Sequence, residues 1–287
     1  MTIDPTKPDI HDGPRGPESV IFLRSPRAKP CPPPWQSAPQ VILGSDDWEE
    51  RIQSQPDRLL VAWGGDGTLQ AAARLGRPCA LVAAGTGNDV AADLGLPRGV
   101  AVGLASLQHP ACWHALPMSM VLVAHGQDRQ SHPMVNALSA GLGGNAAAKL
   151  KPFRWCGPLA YPLAAFRGLF SSQPFDCNGV RSRHVVVGRG GRHGGGIRIG
   201  PKGSRWSEGL RTGGWTNWGD ILLGVLRVCR GRTVFATSSF LGGKLHFDPT
   251  TPIEIDGEPM WADRVEIEAL SQPLLIRVPH RRCTLQG

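Results

Sequence analysis

The sequence holds a single tyrosine and no long run of basic residues. Both weigh against a platform for single-stranded nucleic acid, and no nucleic-acid partner is expected. No stretch approaches the roughly 18 consecutive apolar residues that mark a membrane-spanning helix, so no transmembrane segment is expected either. The first residues, MTIDPTKPDIHDGPRGPE, carry prolines and acids where a secretory leader would carry an apolar core. A cytoplasmic chain is the expectation. Seven cysteines, an odd number at irregular spacing without a CxxC pair, speak against a disulfide framework and against a zinc site. They are expected to be reduced and packed. Also absent are an internal repeat and the Walker string G-x-x-x-x-G-K-[ST].

What is present describes a globular protein: 41% hydrophobic and 19% charged residues in a chain of 287, long enough for two domains. A formal net charge of +8 favours an anionic partner such as a nucleotide or an acidic lipid surface. Residues 1–19 are expected to form a disordered tail, because proline, glycine and charge leave little to bury. Beyond them, SVIFLR, residues 41–43, RLLVAW and CALVA read as strands. Short helices are expected around DDWEERI, over residues 69–75 and before Leu96 and Pro97. Alternation of apolar strand and helix predicts a parallel sheet covered on both faces. Past about residue 115 the pattern changes to short β-rich segments such as MSMVLVAHG, RHVVVGRG, TVFATSSF, PIEIDGE and RVEIEAL, which predicts an antiparallel sandwich. Two helices interrupt it, at LAYPLAAFRGLF and WGDILLGVLRVC.

The strand at RLLVAW runs into Gly64-Gly65-Asp66-Gly67-Thr68, just before a helix N-terminus. Ligands of parallel sheets bind at that edge, and glycine backbone with free N–H groups suits phosphate. Asp66 does not attract phosphate, so it either holds a metal, orients a donor or caps the helix. A second turn, Gly85-Thr86-Gly87-Asn88-Asp89, ends the next strand, so the two glycine turns should lie side by side. A third string, Gly141 to Ala146, fits G-x-G-x-x-A but lacks a clear βαβ context and is a weak match.

GGDGT followed by GTGND resembles the diacylglycerol kinase catalytic domain, and the chain as a whole is similar to soluble bacterial lipid kinases of the YegS type. The correspondence runs over residues 20–285. It includes VNALSAGLGG, GPLAYPLAAFRGL, GGGIRIGP and IDGEPM. The resemblance implies an α/β nucleotide-binding domain over residues 20–114, rejoined by a returning segment at 276–287. A β-sandwich substrate domain over residues 115–275 would follow, with ATP in the cleft between them. It further implies that Gly64, Gly65, Asp66, Gly67 and Thr68 surround the ATP phosphates, and that Gly85, Thr86, Gly87 and Asn88 continue the nucleotide site. Glu258 matches the general base and acts with Asp66 in catalysis, while Asp256 shapes the turn or the metal environment. The implied activity is ATP- and Mg²⁺-dependent phosphorylation of a hydroxyl on a diacylglycerol-like lipid, at the inner face of the membrane. Two alternatives stand beside it: a catalytically weakened nucleotide- or lipid-binding protein of the same fold, and an NAD kinase, which shares GGDGT.

The chain departs from the family pattern at two places. An Asp-Gly pair that holds Mg²⁺ is replaced by Trp206-Ser207-Glu208-Gly209, leaving Glu208 as the metal ligand. An acid expected on entering the second domain is replaced by Ala115. The proline-rich stretch before GGDGT also predicts a missing helix. Trp206, Trp215 and Trp218, with Arg198, Lys202, Arg205 and Arg211, form a mixture suited to an anionic membrane interface. His184 and His193 are expected to be solvated or core hydrogen-bonding residues, since no second ligand lies at metal spacing.

Overall fold

The computed structural model describes residues 13–14, 16–97, 99–169, 172–200, 209–230, 232–234 and 237–279. The chain divides into two units, Met1–Leu116 with Gln272–Gly287, and Pro117–Ser271.

In the first unit, strands β1 (Val20–Arg24), β2 (Gln40–Ile42), β3 (Leu59–Gly64), β4 (Cys79–Ala83) and β5 (Ala111–Leu116) are joined by the last strand among the described residues, β18 (Leu274–Pro279). They form a six-stranded sheet of order β2-β1-β3-β4-β18-β5. All neighbours are parallel except the edge pair β18 and β5. Helices α1 (Trp48–Gln53), α2 (Asp66–Arg74), α3 (Asp89–Asp93) and α4 (Val100–Leu107) connect them. Both faces of β1 and β3 are buried. Val20, Phe22, Val61 and Trp63 pack in one cluster with Leu104 and Leu107 of α4, while Ile21, Leu23, Leu60 and Ala62 turn to the other side with no exposure. Continuous apolar strands of this kind need covering on both faces.

The expected missing helix is replaced by a loop that does the same covering. Between β1 and β2 there is only a 3₁₀ turn, Trp35–Ser37, yet Ala28, Cys31, Trp35 and Ala38 of the proline-rich stretch are buried in the same cluster. Trp35 meets Phe22 edge-on at 6.1 Å, and Phe22 meets Trp63 at 5.4 Å. Proline prevents the stretch from being helical, and the indole supplies the apolar area instead. Pro17–Ser19, expected to belong to the tail, also form a 3₁₀ turn, held by the Ser19 hydroxyl donating to Gly16 O at 2.7 Å.

The second unit carries β6 (Ser119–His125), β7 (Asp128–Met134), β8 (Ala137–Gly141), β9 (Phe175–Cys177), β10 (Val180–Ser182), β11 (His184–Gly188), β12 (Arg192–His193), β13 (Ile197–Arg198), β14 (Leu210–Trp215), β15 (Ser238–Phe240), β16 (Gly243–Ile255) and β17 (Glu258–Ala269). Its helices are α5 (Leu142–Ala148), α6 (Ala160–Leu169) and α7 (Trp218–Cys229). Ten strands form one continuous antiparallel sheet, and β12 and β13 form a separate pair. The long strands β16 and β17 run through it, with a register shift between His246 and Thr251. Leu138, Val187, Phe247, Ile253, Ile255, Val265 and Ile267 close the main core on one face. A smaller core of Ala137, Val186, Ile199 and Val234 lies elsewhere in the unit.

The third glycine string is a packing device. A Cβ on Gly144 would stand 2.2 Å from the Pro252 carbonyl oxygen and one on Gly143 would run into the Ser139 hydroxyl, so α5 sits close on the sheet because both are glycine. The cysteines are less uniform than expected. Cys31, Cys79, Cys156 and Cys177 are free thiols, but Cys112 is disulfide-bonded. Burial pushes the Cys31 and Cys79 thiols up to about 12 and Cys177 up to about 11, which keeps them unreactive.

Candidate active site

The two glycine turns meet where β3 and β4 end. Ala84 N donates to Gly64 O at 2.8 Å, carrying the pairing of the strands into the turns. A Cβ on Gly85 would stand 2.4 Å from Gly65 Cα and 2.7 Å from Gly65 N, so backbone lies directly against backbone there. Each turn is then tied internally. Thr68 N and Leu69 N donate to Gly65 O and start α2, while the Asn88 side chain accepts from Gly85 N at 2.9 Å and donates to Gly85 O at 2.7 Å. Asn88 holds a left-handed conformation (φ 54°), which asparagine tolerates better than most residues.

Asp66 joins the turns. Its Oδ2 accepts from Asp89 N at 2.9 Å and its Oδ1 from Val90 N at 3.1 Å, so a carboxylate at the start of α2 caps the start of α3. Of the three roles left open by the sequence, the structure shows capping, though of the second helix rather than its own. Gly65, Asp66, Gly67 and Gly87 are half-buried and Thr86 is exposed, leaving the backbone of both turns reachable. Backbone N–H groups at a helix N-terminus suit phosphate groups.

The fit to Mg²⁺ is poorer. Both Asp66 oxygens already accept N–H groups, and among the described residues no group of three or more His, Cys, Asp or Glu side chains is arranged to hold an ion. Glu208, with Trp206, Lys202 and Arg205, lies outside the described residues, and no step below is derived through a metal.

In the second unit, Ile255-Asp256-Gly257-Glu258 is a two-residue hairpin turn between β16 and β17, with φ of 51° at Asp256 and 91° at Gly257. Positive φ at both central residues is the requirement of a type I′ turn. Asp256 is 4% exposed, and its carboxylate takes three backbone donors: Val135 N at 2.7 Å, Asn136 N at 2.8 Å and Ala137 N at 2.9 Å. It thereby pins the start of VNALSAGLGG to the turn. Burial outweighs those donors and pushes the Asp256 carboxyl up to about 6. Glu258 stands exposed as the first residue of β17. Ala115 is half-buried in β5, opposite Leu275.

A row of buried polar residues was not foreseen. Glu254 has no exposure and pairs with His193 at 2.5 Å, and the Ser139 hydroxyl donates to the same Glu254 oxygen at 3.4 Å. His184 is buried nearby, with Nδ1 3.2 Å from Ala140 O and its ring 5.0 Å from that of Trp215. Burial first, then the neighbouring His193 charge, lowers the His184 pKa to about 4, so the imidazole is neutral. The alternation Ile253-Glu254-Ile255 reads as an outward-facing acid, and only packing over that face reveals a buried one. Both histidines are thus hydrogen-bonding core residues, and Trp215 is partly buried against the smaller core.

The chain thus combines an α/β unit, with two glycine turns locked together at the carboxyl ends of parallel strands, and an antiparallel β unit. Residues 44–111, which hold both turns, match the model of the diacylglycerol kinase catalytic domain. The resemblance read from GGDGT and GTGND is thereby borne out. The chain is similar in fold to the crystal structure of a diacylglycerol kinase from Bacillus anthracis strain Sterne, at 16% identity and a TM-score of 0.61, covering 90% of this chain and 96% of that one. It is also similar to the yeast NADH kinase in complex with NADH, at 10% identity and a TM-score of 0.50, covering 97% of this chain and 93% of the other. A search of curated proteins returned no significant match. Among the described residues no helix is long and apolar enough to cross a membrane.

Proposed function

We propose that the protein is an ATP-dependent lipid kinase acting on a hydroxyl of a diacylglycerol-like lipid at the cytoplasmic surface of the membrane. The observation that carries this reading is the pair of glycine turns held in register by the Asp66 carboxylate within the family-matched segment. Gly65 and Gly67 would offer the first turn's backbone to the phosphates, with the buried Gly64 and Thr68 holding the turn's shape behind them, and Gly85, Thr86, Gly87 and Asn88 would extend the nucleotide site. Asp66 acts as a positioning residue, setting one turn against the other. Mg²⁺ enters only as the ion that accompanies ATP.

The reaction needs alignment and charge neutralisation more than a strong base. The acceptor oxygen attacks the γ-phosphorus, the bond to the β,γ-bridging oxygen breaks and ADP leaves. The hydroxyl proton passes to the Glu258 carboxylate, which a rigid I′ turn presents at the surface of its unit. The test is transfer of labelled phosphate from ATP to a panel of lipid hydroxyls dispersed in detergent, with NAD as a separate acceptor. We expect a labelled phospholipid, and Glu258→Gln should keep near-normal ATP affinity while kcat falls by about 10² or more. Labelled NADP without lipid product would assign the chain to the NAD kinases. ATP binding without transfer to any acceptor would assign it to the non-catalytic alternative.

A further inference from the structure

Helix α7 presents an apolar stripe that no described residue of its own unit covers. Its register on the sheet is set by Gly224: a Cβ there would stand 2.7 Å from the Trp215 ring, and Ile221 beside it is 6% exposed. With that side facing inward, Leu222 is 63% exposed, Leu223 51%, Trp218 47% and Leu226 44%. Residues 218, 222 and 226 are spaced four apart and line one face of a helix.

Arginines flank the stripe. Arg183 is held over the Trp218 ring at 4.8 Å, Arg227 lies in the last turn, and Arg230 and Arg232 follow exposed. The helix's acid, Asp220, is committed to its N-terminus. It accepts from Thr216 N at 3.0 Å and from the Thr216 hydroxyl at 2.6 Å, while its own N–H donates to Asn217 Oδ1 at 3.0 Å. A second copy of the chain would bring these arginines against their equivalents, in a molecule of formal net charge +8. An anionic bilayer instead receives the leucines and the indole among its acyl chains and the guanidinium groups at its headgroups.

We infer that α7 is the surface on which this protein docks onto an anionic lipid bilayer, lying in the interface with Trp218, Leu222, Leu223 and Leu226 inserted and Arg183, Arg227 and Arg230 on the headgroups. The inference deepens the lipid-kinase reading and rests on it for the expectation that the chain works at a bilayer. It is measured without catalysis.

The experiment is co-sedimentation of the full chain with vesicles of phosphatidylcholine alone and of phosphatidylcholine with phosphatidylglycerol. Wild type should pellet with the anionic vesicles and release as salt rises. The pair Leu222→Ser and Leu226→Ser should lower that binding tenfold or more. Arg227→Gln with Arg230→Gln should lower it by about tenfold and flatten the salt dependence. Val102→Ser, at an exposed residue of α4 in the other unit, should bind like wild type. Equal binding by all variants, or no binding by wild type, overturns the proposal. So does a dimer in sedimentation equilibrium that the double serine change dissolves, since the face would then join two copies. Phosphorylation of detergent-dispersed lipid separates the two readings. Vesicle binding lost through α7 with micellar activity kept supports docking. Vesicle binding without any phosphorylation leaves docking standing and sinks the kinase.

Discussion

Asp66 and Asp256 have the same physical role in different units: each is an acid at a turn whose oxygens satisfy backbone donors from a segment distant in sequence. For Asp66 those donors are the first two amides of α3. In Asp66→Asn one oxygen becomes an amide nitrogen facing an N–H, so Asp89 and Val90 should exchange their amide hydrogens faster and phosphoryl transfer should fall away together. Faster transfer loss without changed exchange would separate catalysis from capping. Asp256 makes a pH prediction. Its folded pKa of about 6 lies above the ordinary 3.8, so the native state binds the proton first and this group adds stability as pH falls from about 6 towards 3.8. His184 opposes it: held neutral with a pKa of about 4 against the usual 6.5, it contributes stability above pH 6.5 that is lost on acidification. Removing the first leaves the second unopposed. Asp256→Asn should therefore be less stable than wild type throughout, by at least about 2 kcal/mol for its orphaned donors. The deficit should widen between pH 6 and pH 4 in thermal melts followed by circular dichroism, and a constant deficit would mean that Asp256 titrates normally.

At the scale of elements, the glycines fall into two groups that a sequence string does not separate. Those at Gly143 and Gly144 let α5 approach β8 and β16, and they concern packing. Gly65 and Gly85 let two turns touch backbone to backbone. Gly85→Ala should therefore force the turns apart, since its Cβ would meet Gly65 Cα at 2.4 Å. We expect ATP affinity measured by calorimetry to fall tenfold or more, and thermal stability of the protein to fall by about 1–3 kcal/mol, the usual cost of overpacking. Unchanged ATP affinity would show that nucleotide does not use the contact between the turns. The proline-rich connection after β1 shows the same economy: where a helix was ruled out by composition, Trp35 covers the sheet.

At the scale of the whole molecule, the chain leaves its first unit at Leu116 and returns at Gln272 to insert β18 between β4 and β5. β18 is the strand through which β5 joins the sheet, and the Arg277 guanidinium donates to His109 O at 2.7 Å beyond the C-terminal end of α4. Removing residues 274–287 should thus unfold the first unit although both glycine turns remain encoded. Limited proteolysis should then cut within residues 44–111, and ATP binding should vanish. Retained ATP binding would mean that β1 to β4 suffice without their neighbour.

Much of this was legible beforehand because it is local. The parallel α/β unit follows from uninterrupted apolar strands at β3 and β4, and the turns follow from glycines at their ends. The I′ hairpin follows from Asp256-Gly257, where both residues tolerate positive φ. Side-chain period and allowed backbone angles depend on the nearest few residues, so a single sequence carries them. Only the folded chain decided that Asp66 caps α3, that Glu254 turns inward to His193, that Asp256 gathers three amides 119 to 121 residues away, and that α7 keeps its leucines outside. Those outcomes depend on which distant segments share a face. A strand pattern states that Glu254 lies opposite Ile253 and Ile255, but whether that side meets water or another layer is set by topology.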